Sequence, residues 1–124
     1  MRDASLRGVD THGVRNLKRY YVDGINRGEI VAAAEFRVEH QTAVSMRVDG
    51  DNGLGMACSA YAMEAAISMA KQGGVGLVAV NNSNHFGAAG AYAQLALDEG
   101  MIGISLTGSM FATGRERAVV PAQG

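Results

Sequence analysis

Cysteine, proline and net charge are all scarce in this sequence. Cys58 is the only cysteine among 124 residues, so no disulfide can form within the chain, which favours a reducing compartment. The net charge is −1, with no basic stripe or acidic tail, so we expect neither nucleic acid nor a membrane as a partner. No apolar run approaches the roughly 20 residues that cross a bilayer, and the amino terminus does not resemble a signal peptide. These absences together favour a cytoplasmic protein.

Several motifs that would announce a familiar chemistry are also missing. The chain has no Gly-x-Gly-x-x-Gly fingerprint, so we do not expect an ordinary Rossmann nucleotide site. It has neither a phosphate-binding Gly-x-x-x-x-Gly-Lys loop nor a Gly-x-Ser-x-Gly nucleophile elbow. The three histidines are well separated and form no His-Glu-x-x-His pair, so we expect no metal site. Residues 49–55 resemble a calcium loop in composition only, because Ala60 stands where the last glutamate is needed.

Glycine, in contrast, is abundant, with 17 residues against a single proline. The glycines cluster at residues 50–55, 73–76 and 87–90. At such positions the backbone can turn sharply or approach a neighbouring group closely. We therefore expect the functional site to lie beside these clusters.

The hydrophobic pattern predicts helix and strand in alternation. Apolar residues three and four positions apart predict an amphipathic helix from residue 11 to about residue 27. Alternating apolar residues on either side of a turn at 40–42 predict a hairpin, and the run at 56–72 predicts a buried helix. An apolar run at 75–80, a helix at 88–99 and an apolar run at 101–106 predict a strand-helix-strand crossover with parallel strands.

These elements place the chain in the α/β class. We expect residues 1–34 to form the helical segment of an incomplete domain. Residues 35–124 are expected to form a partial α/β domain with a mixed sheet. The predicted fold is therefore an α/β unit that follows a helical amino-terminal segment.

His85 is the first candidate for chemistry, because it stands between a buried strand and the start of a helix. Loops that leave the carboxyl ends of strands face the ligand crevice in parallel sheets. The positive end of a helix dipole disfavours the imidazolium and lowers the histidine pKa, so His85 could exchange a proton near neutral pH. A turn histidine bonded to local backbone explains the same spacing equally well.

A polar helix face is the second candidate. On the predicted helix His12, Asn16 and Tyr20 lie one turn apart, with Arg15 and Arg19 beside them. Hydrogen-bond donors with an arginine nearby suit a carboxylate substrate, since charge-assisted bonds fix its orientation. The alternative is an ordinary solvated face opposite the apolar stripe.

Three ordered segments together resemble the type-2 malate/L-lactate dehydrogenase family. They are residues 6–14 (LRGVDTHGV), 48–55 (VDGDNGLG) and 82–90 (NSNHFGAAG), and the resemblance extends to about Gly108. The resemblance implies hydride transfer between NAD or NADP and a small 2-hydroxy or 2-oxo acid such as malate or lactate, on a fold unlike the Rossmann domain. It also implies a homodimer in the full-length family.

The same resemblance assigns roles to individual residues. His85 takes the place of the catalytic histidine, which accepts or donates the proton during hydride transfer. Thr11, His12 and Tyr20 fall on substrate-side positions, and Ser109 falls on a serine that contacts the cofactor. Asn16 replaces an expected arginine, so Arg15, one position earlier, is the candidate for the substrate carboxylate.

Two further interpretations stay open beside the dehydrogenase. Residues 111–124 depart from the family pattern, and both ends are shorter than the resemblance predicts, so we expect a chain truncated at each end. A truncated chain could be a non-catalytic remnant or a module that binds a small acid without turnover. A hydrolase with His85 as its base is disfavoured, because the sequence shows neither a nucleophile motif nor a metal motif.

Overall fold

A series of short helical turns forms the amino-terminal part of this computed structural model, which describes residues 1–108. Helix α1 covers Arg2–Leu6, and two 3₁₀ turns follow at Asp10–His12 and Val14–Asn16. A π-helical segment, Leu17–Val22, leads directly into helix α2, Asp23–Asn26. Gly28, with φ +71°, follows the end of α2, as expected of a glycine that terminates a helix.

The prediction of one regular helix over residues 11–27 is therefore wrong. Gly13 is extended, with φ −87° and ψ −173°, and it separates the two 3₁₀ turns. The predicted apolar stripe breaks up as a result, because Val14 and Leu17 are 48% and 46% exposed while Tyr21 is 3% exposed. His12, Asn16 and Tyr20 do not share one regular helical face.

A mixed three-stranded sheet follows, as the sequence predicts. Strands β1 (Arg37–Gln41), β2 (Ser45–Gly53) and β3 (Leu77–Ser83) lie in that order, with β1 antiparallel and β3 parallel to β2. The hairpin turn between β1 and β2 is closed by Thr42, whose Oγ1 accepts hydrogen bonds from the backbone N–H groups of Val44 and Ser45. The predicted hairpin is confirmed.

Helix α3 (Gly55–Gly73) connects the two parallel strands, so the crossover is β2-α3-β3. The predicted crossover between residues 75 and 106 is not formed, because residues 101–106 lie in no strand of the described chain. These residues run beside helix α4 (Gly90–Asp98), with Gly103 close to Ala93. A groove of about 830 Å³ separates them from the start of β3, and they do not pair with the open outer edge of that strand.

The core lies between the sheet and α3. Val48 on β2 and Cys58 on α3 are the two fully buried larger side chains of the described chain. Every α3 residue that is buried, such as Ala62 and Met69, is small or unbranched, so the helix can approach the sheet closely. No helix within residues 1–108 is long and apolar enough to cross a membrane.

Candidate active site

The carboxyl ends of β2 and β3 lie side by side, since these two strands are parallel. The loop that leaves β3 is tied to the end of β2 by Asn84. Its side-chain amide donates to the backbone oxygen of Asn52 at 2.9 Å, and to the Asn52 side-chain oxygen and the Gly53 backbone oxygen at 3.0 Å each. This anchor fixes the backbone position of the residue that follows it, His85.

Glycines allow the backbone to close up around this loop. A side chain at Gly55 would collide with the backbone oxygen of Asn84, so only glycine lets α3 begin this close to the loop. Gly87 has φ +79°, a conformation that other residues rarely adopt. The clusters at 50–55 and 87–90 therefore lie beside the candidate site, whereas the predicted third cluster, 73–76, lies at the opposite end of the sheet.

His85 contacts the amino-terminal helical segment directly. The Tyr21 hydroxyl lies 2.7 Å from His85 Nδ1, and the Gly87 backbone N–H donates to the same nitrogen at 3.3 Å. The His12 and Tyr20 rings stack on the imidazole, with centroids 5.6 Å and 5.2 Å away. Three aromatic side chains from one segment thus surround a histidine from the β3 loop.

Two consecutive tyrosines of the π-helical segment reach the same histidine. In an α-helix, neighbouring residues point about 100° apart, which follows from 3.6 residues per turn. A π-helix is wider, with i to i+5 bonds, and such segments occur frequently at functional sites. Tyr20 and Tyr21 both lie within Leu17–Val22 and both contact His85.

The electrostatic environment of His85 favours a neutral imidazole. Partial burial lowers the pKa of His85, and the nearby His12 lowers it further through like-charge repulsion. Burial raises the pKa of the Tyr21 phenol, and Tyr20 adds to this shift, so the hydroxyl stays protonated. The His85 residue as a whole is nevertheless exposed, and Nε2 has no hydrogen-bond partner among residues 1–108. The group can therefore meet a ligand from solvent.

The other predicted site residues differ in how closely they approach His85. The Thr11 hydroxyl lies 3.1 Å from His12 Nδ1, so Thr11 reaches the site through His12. Arg15 is exposed and forms no hydrogen bond or ion pair with residues 1–108. The Arg19 guanidinium lies 5.5 Å from the Tyr20 ring centroid, which links a second cation to the site. Ser109 lies outside the described residues.

Two contributors were not predicted from the sequence. Tyr21 fits the apolar stripe, so its spacing indicates a core residue and gives no sign of its bond to His85. Asn84 stands among polar residues that indicate only a loop, although the residue before the candidate histidine is a natural anchor. No group of three metal-ligating side chains exists among the described residues.

The comparison with known proteins agrees with this α/β fold. The profile of the malate/L-lactate dehydrogenase family matches residues 1–124, so the chain belongs to that family. Malate dehydrogenase of Pyrococcus horikoshii is 49% identical over 106 residues, which are 86% of this chain and 29% of that protein. L-sulfolactate dehydrogenase of Methanocaldococcus jannaschii is 40% identical over 105 residues, 85% of this chain and 30% of that protein.

The solved structures give the same result. The structure of the Pyrococcus horikoshii malate dehydrogenase superposes with a TM-score of 0.76 at 46% identity, covering 78% of this chain and 28% of that one. Other relatives are named for their cofactors, a ureidoglycolate dehydrogenase for NAD⁺ and a (2R)-3-sulfolactate dehydrogenase for NADP⁺. The chain thus spans less than a third of the length of these relatives.

Proposed function

We propose that this chain carries the proton-transfer part of an oxidoreductase that moves a hydride between NAD or NADP and a small 2-hydroxy or 2-oxo acid. The observation that supports it best is the position of His85, which is exposed yet bonded to Tyr21 and stacked on His12 and Tyr20. Malate and sulfolactate, which the relatives' names give as their substrates, are the acids to test first.

His85 would exchange its proton through Nε2, since the Tyr21 hydroxyl lies 2.7 Å from Nδ1 and leaves Nε2 without a partner among residues 1–108. In the oxidation direction Nε2 accepts the proton of the substrate hydroxyl as the carbon loses its hydride. In the reduction direction the imidazolium returns that proton to the oxygen of the 2-oxo acid. A neutral resting imidazole suits the oxidation direction at neutral pH.

The substrate would lie between His85 and the amino-terminal segment. Thr11, His12 and Tyr20 supply hydroxyl and imidazole groups that can bind the hydroxyl or keto oxygen of the acid. Arg15 remains the proposed carboxylate partner, and Arg19 is a second candidate because it lies over the Tyr20 ring. A guanidinium binds a carboxylate with two parallel hydrogen bonds, so either residue could fix the orientation of the acid.

In a hydride transfer to or from nicotinamide, the proton-transfer group must lie beside the substrate carbon that exchanges the hydride. His85 is exposed and can take that position, so the described residues fit such a reaction. The cofactor would supply the hydride chemistry itself. The described residues provide no Gly-x-Gly-x-x-Gly loop for a diphosphate, which supports a non-Rossmann mode of binding. Ser109 remains a proposed cofactor contact.

The proposal also covers the domain division, the oligomeric state and the location of the protein. Residues 1–34 would be the helical part of one domain and residues 35–124 the α/β part that binds the ligands. A homodimer and a cytoplasmic location are proposed for the enzyme. Exposed apolar side chains such as Ile102, 93% exposed, support association with further protein surface.

The test is NADH or NADPH oxidation by the whole chain with oxaloacetate, pyruvate and other 2-oxo acids, followed by absorbance. His85→Ala should reduce the rate by about 10²-fold or more, the size of a general acid-base contribution. Tyr61→Phe is the matched control, because Tyr61 contacts Phe36 and not His85. Equal rates for the wild type and His85→Ala would remove His85 from the mechanism.

The competing function is a module that binds a small acid without turnover. The observation that favours it is the polar cluster of His12, Tyr20 and His85, which can bind an acid through hydrogen bonds without a cofactor. Fluorescence titration separates the two functions. Saturable NADH or NADPH binding supports the oxidoreductase, whereas acid binding without cofactor binding supports the module.

A further inference from the structure

We infer that Tyr21 is a positioning residue whose hydroxyl keeps His85 Nδ1 hydrogen-bonded in both protonation states of the ring, which leaves Nε2 free to exchange a proton with substrate. This inference deepens the proposed function and rests on it for its catalytic meaning. The hydrogen bond itself is a property of the chain and can be tested without turnover.

The two partners of Nδ1 are chemically different. The Gly87 backbone N–H can only donate, so its 3.3 Å contact is favourable only when Nδ1 carries no proton. The Tyr21 phenol can donate or accept, so its 2.7 Å contact is favourable in either case. The choice between the two tautomers of neutral His85 therefore depends on Tyr21.

Catalysis as proposed requires the tautomer that Gly87 disfavours. A base at Nε2 needs a lone pair there, so the proton of the neutral ring must be on Nδ1. After Nε2 takes up the substrate proton, the imidazolium also carries a proton on Nδ1. In both states Nδ1–H donates to the Tyr21 oxygen, which is the only acceptor for it among residues 1–108. Without that oxygen, Nδ1–H would point at the Gly87 N–H.

Burial makes Tyr21 suited to this role. The residue is 3% exposed, so its ring is fixed by packing and water does not readily replace its hydroxyl. The π-helical segment turns Tyr21 inwards while its neighbour Tyr20 remains 42% exposed beside the same imidazole. One tyrosine therefore holds the histidine, and the other is left on the side where a ligand can enter.

Three titratable groups within residues 1–108 face His85. They are His12 and Tyr20, which stack on it, and Tyr21, which bonds to it. Of these, only His12 can carry a positive charge, and it disfavours the imidazolium. The Tyr21 oxygen is thus the contact that stabilises the protonated ring.

The test is NMR of the ¹⁵N-histidine-labelled chain, which reports the tautomer and the pKa of His85. It is applied to the wild type, to Tyr21→Phe and to Tyr20→Phe as a matched control. Tyr21→Phe should shift neutral His85 towards the Nε2–H tautomer and lower its pKa. Tyr20→Phe keeps the stacked ring and removes no bond to Nδ1, so the tautomer should stay as in the wild type. An unchanged tautomer and pKa in a folded Tyr21→Phe chain would overturn the inference.

A measurement on the wild type covers the case in which Tyr21→Phe does not fold. Below the pKa of His85, the Nδ1–H proton should show nuclear Overhauser contacts to the Tyr21 ring. A missing contact between this proton and that ring would overturn the inference. If the chain has turnover, Tyr21→Phe should lower kcat about 10-fold or more and change KM little, as expected for loss of base function. If wild type lacks turnover while the tautomer still shifts, the proposed function fails and the inference stands.

Discussion

Replacing Asn84 by alanine tests whether the loop after β3 is held in place as described. The side-chain amide nitrogen of Asn84 has two hydrogens to donate and lies near three acceptor oxygens, one at 2.9 Å and two at 3.0 Å. Two full hydrogen bonds at about 1 kcal/mol each amount to ~2 kcal/mol of folding free energy. We therefore expect Asn84→Ala to lower the free energy of unfolding by about 2 kcal/mol.

The assay is equilibrium urea unfolding, with Asn81→Ala as the matched control. Asn81 is exposed, and its side chain forms no hydrogen bond with residues 1–108, so this variant should stay within about 0.5 kcal/mol of the wild type. A stability of Asn84→Ala equal to that of the control would refute the reasoning. It would mean that the β3 loop does not depend on its bonds to Asn52 and Gly53.

Two further predictions concern the surroundings of His85. Gly87→Ala should lower the free energy of unfolding by roughly 1–2 kcal/mol, because a side chain is strained at a φ of +79°. The strain comes from the backbone, since the added Cβ would have ordinary contacts. Urea unfolding measures the effect, and an unchanged midpoint would contradict it. The pKa of His85 should lie below the ordinary value of about 6.5, and His12→Asn should raise it. Between these two pKa values the unfolded wild-type chain binds more protons than the folded chain. His85 therefore contributes stability above its ordinary pKa, and this stability is lost as the pH falls through its folded pKa. An NMR titration of His85 with a midpoint at or above the ordinary value would refute this sign.

Regular periodicity made much of the α/β part predictable. The hairpin around Thr42 and helix α3 follow local patterns that packing then reinforces, and both occur close to the predicted positions. His85 was predictable as a candidate because a histidine between a buried strand and a glycine-rich helix start is a local signal. The structure brings it into contact with His12 and Tyr20 of the second candidate segment.

The remaining features depend on contacts between distant residues. Nothing local to residues 17–22 indicates a π-helical turn, and the contact that Tyr21 makes from it is with a residue 64 positions away along the chain. The run at 101–106 has strand-like composition but pairs with no strand in the described structure, where a groove separates it from the edge strand β3. Composition alone cannot reveal either outcome.

The account depends most on the contact between the β3 loop and the amino-terminal helical segment. Nuclear Overhauser contacts between the His85 ring protons and the rings of His12, Tyr20 and Tyr21 measure it directly in the wild-type chain. The account predicts contacts to all three rings, whose centroids lie 5.2 to 5.9 Å from the imidazole. Contacts from His85 to none of them would contradict it.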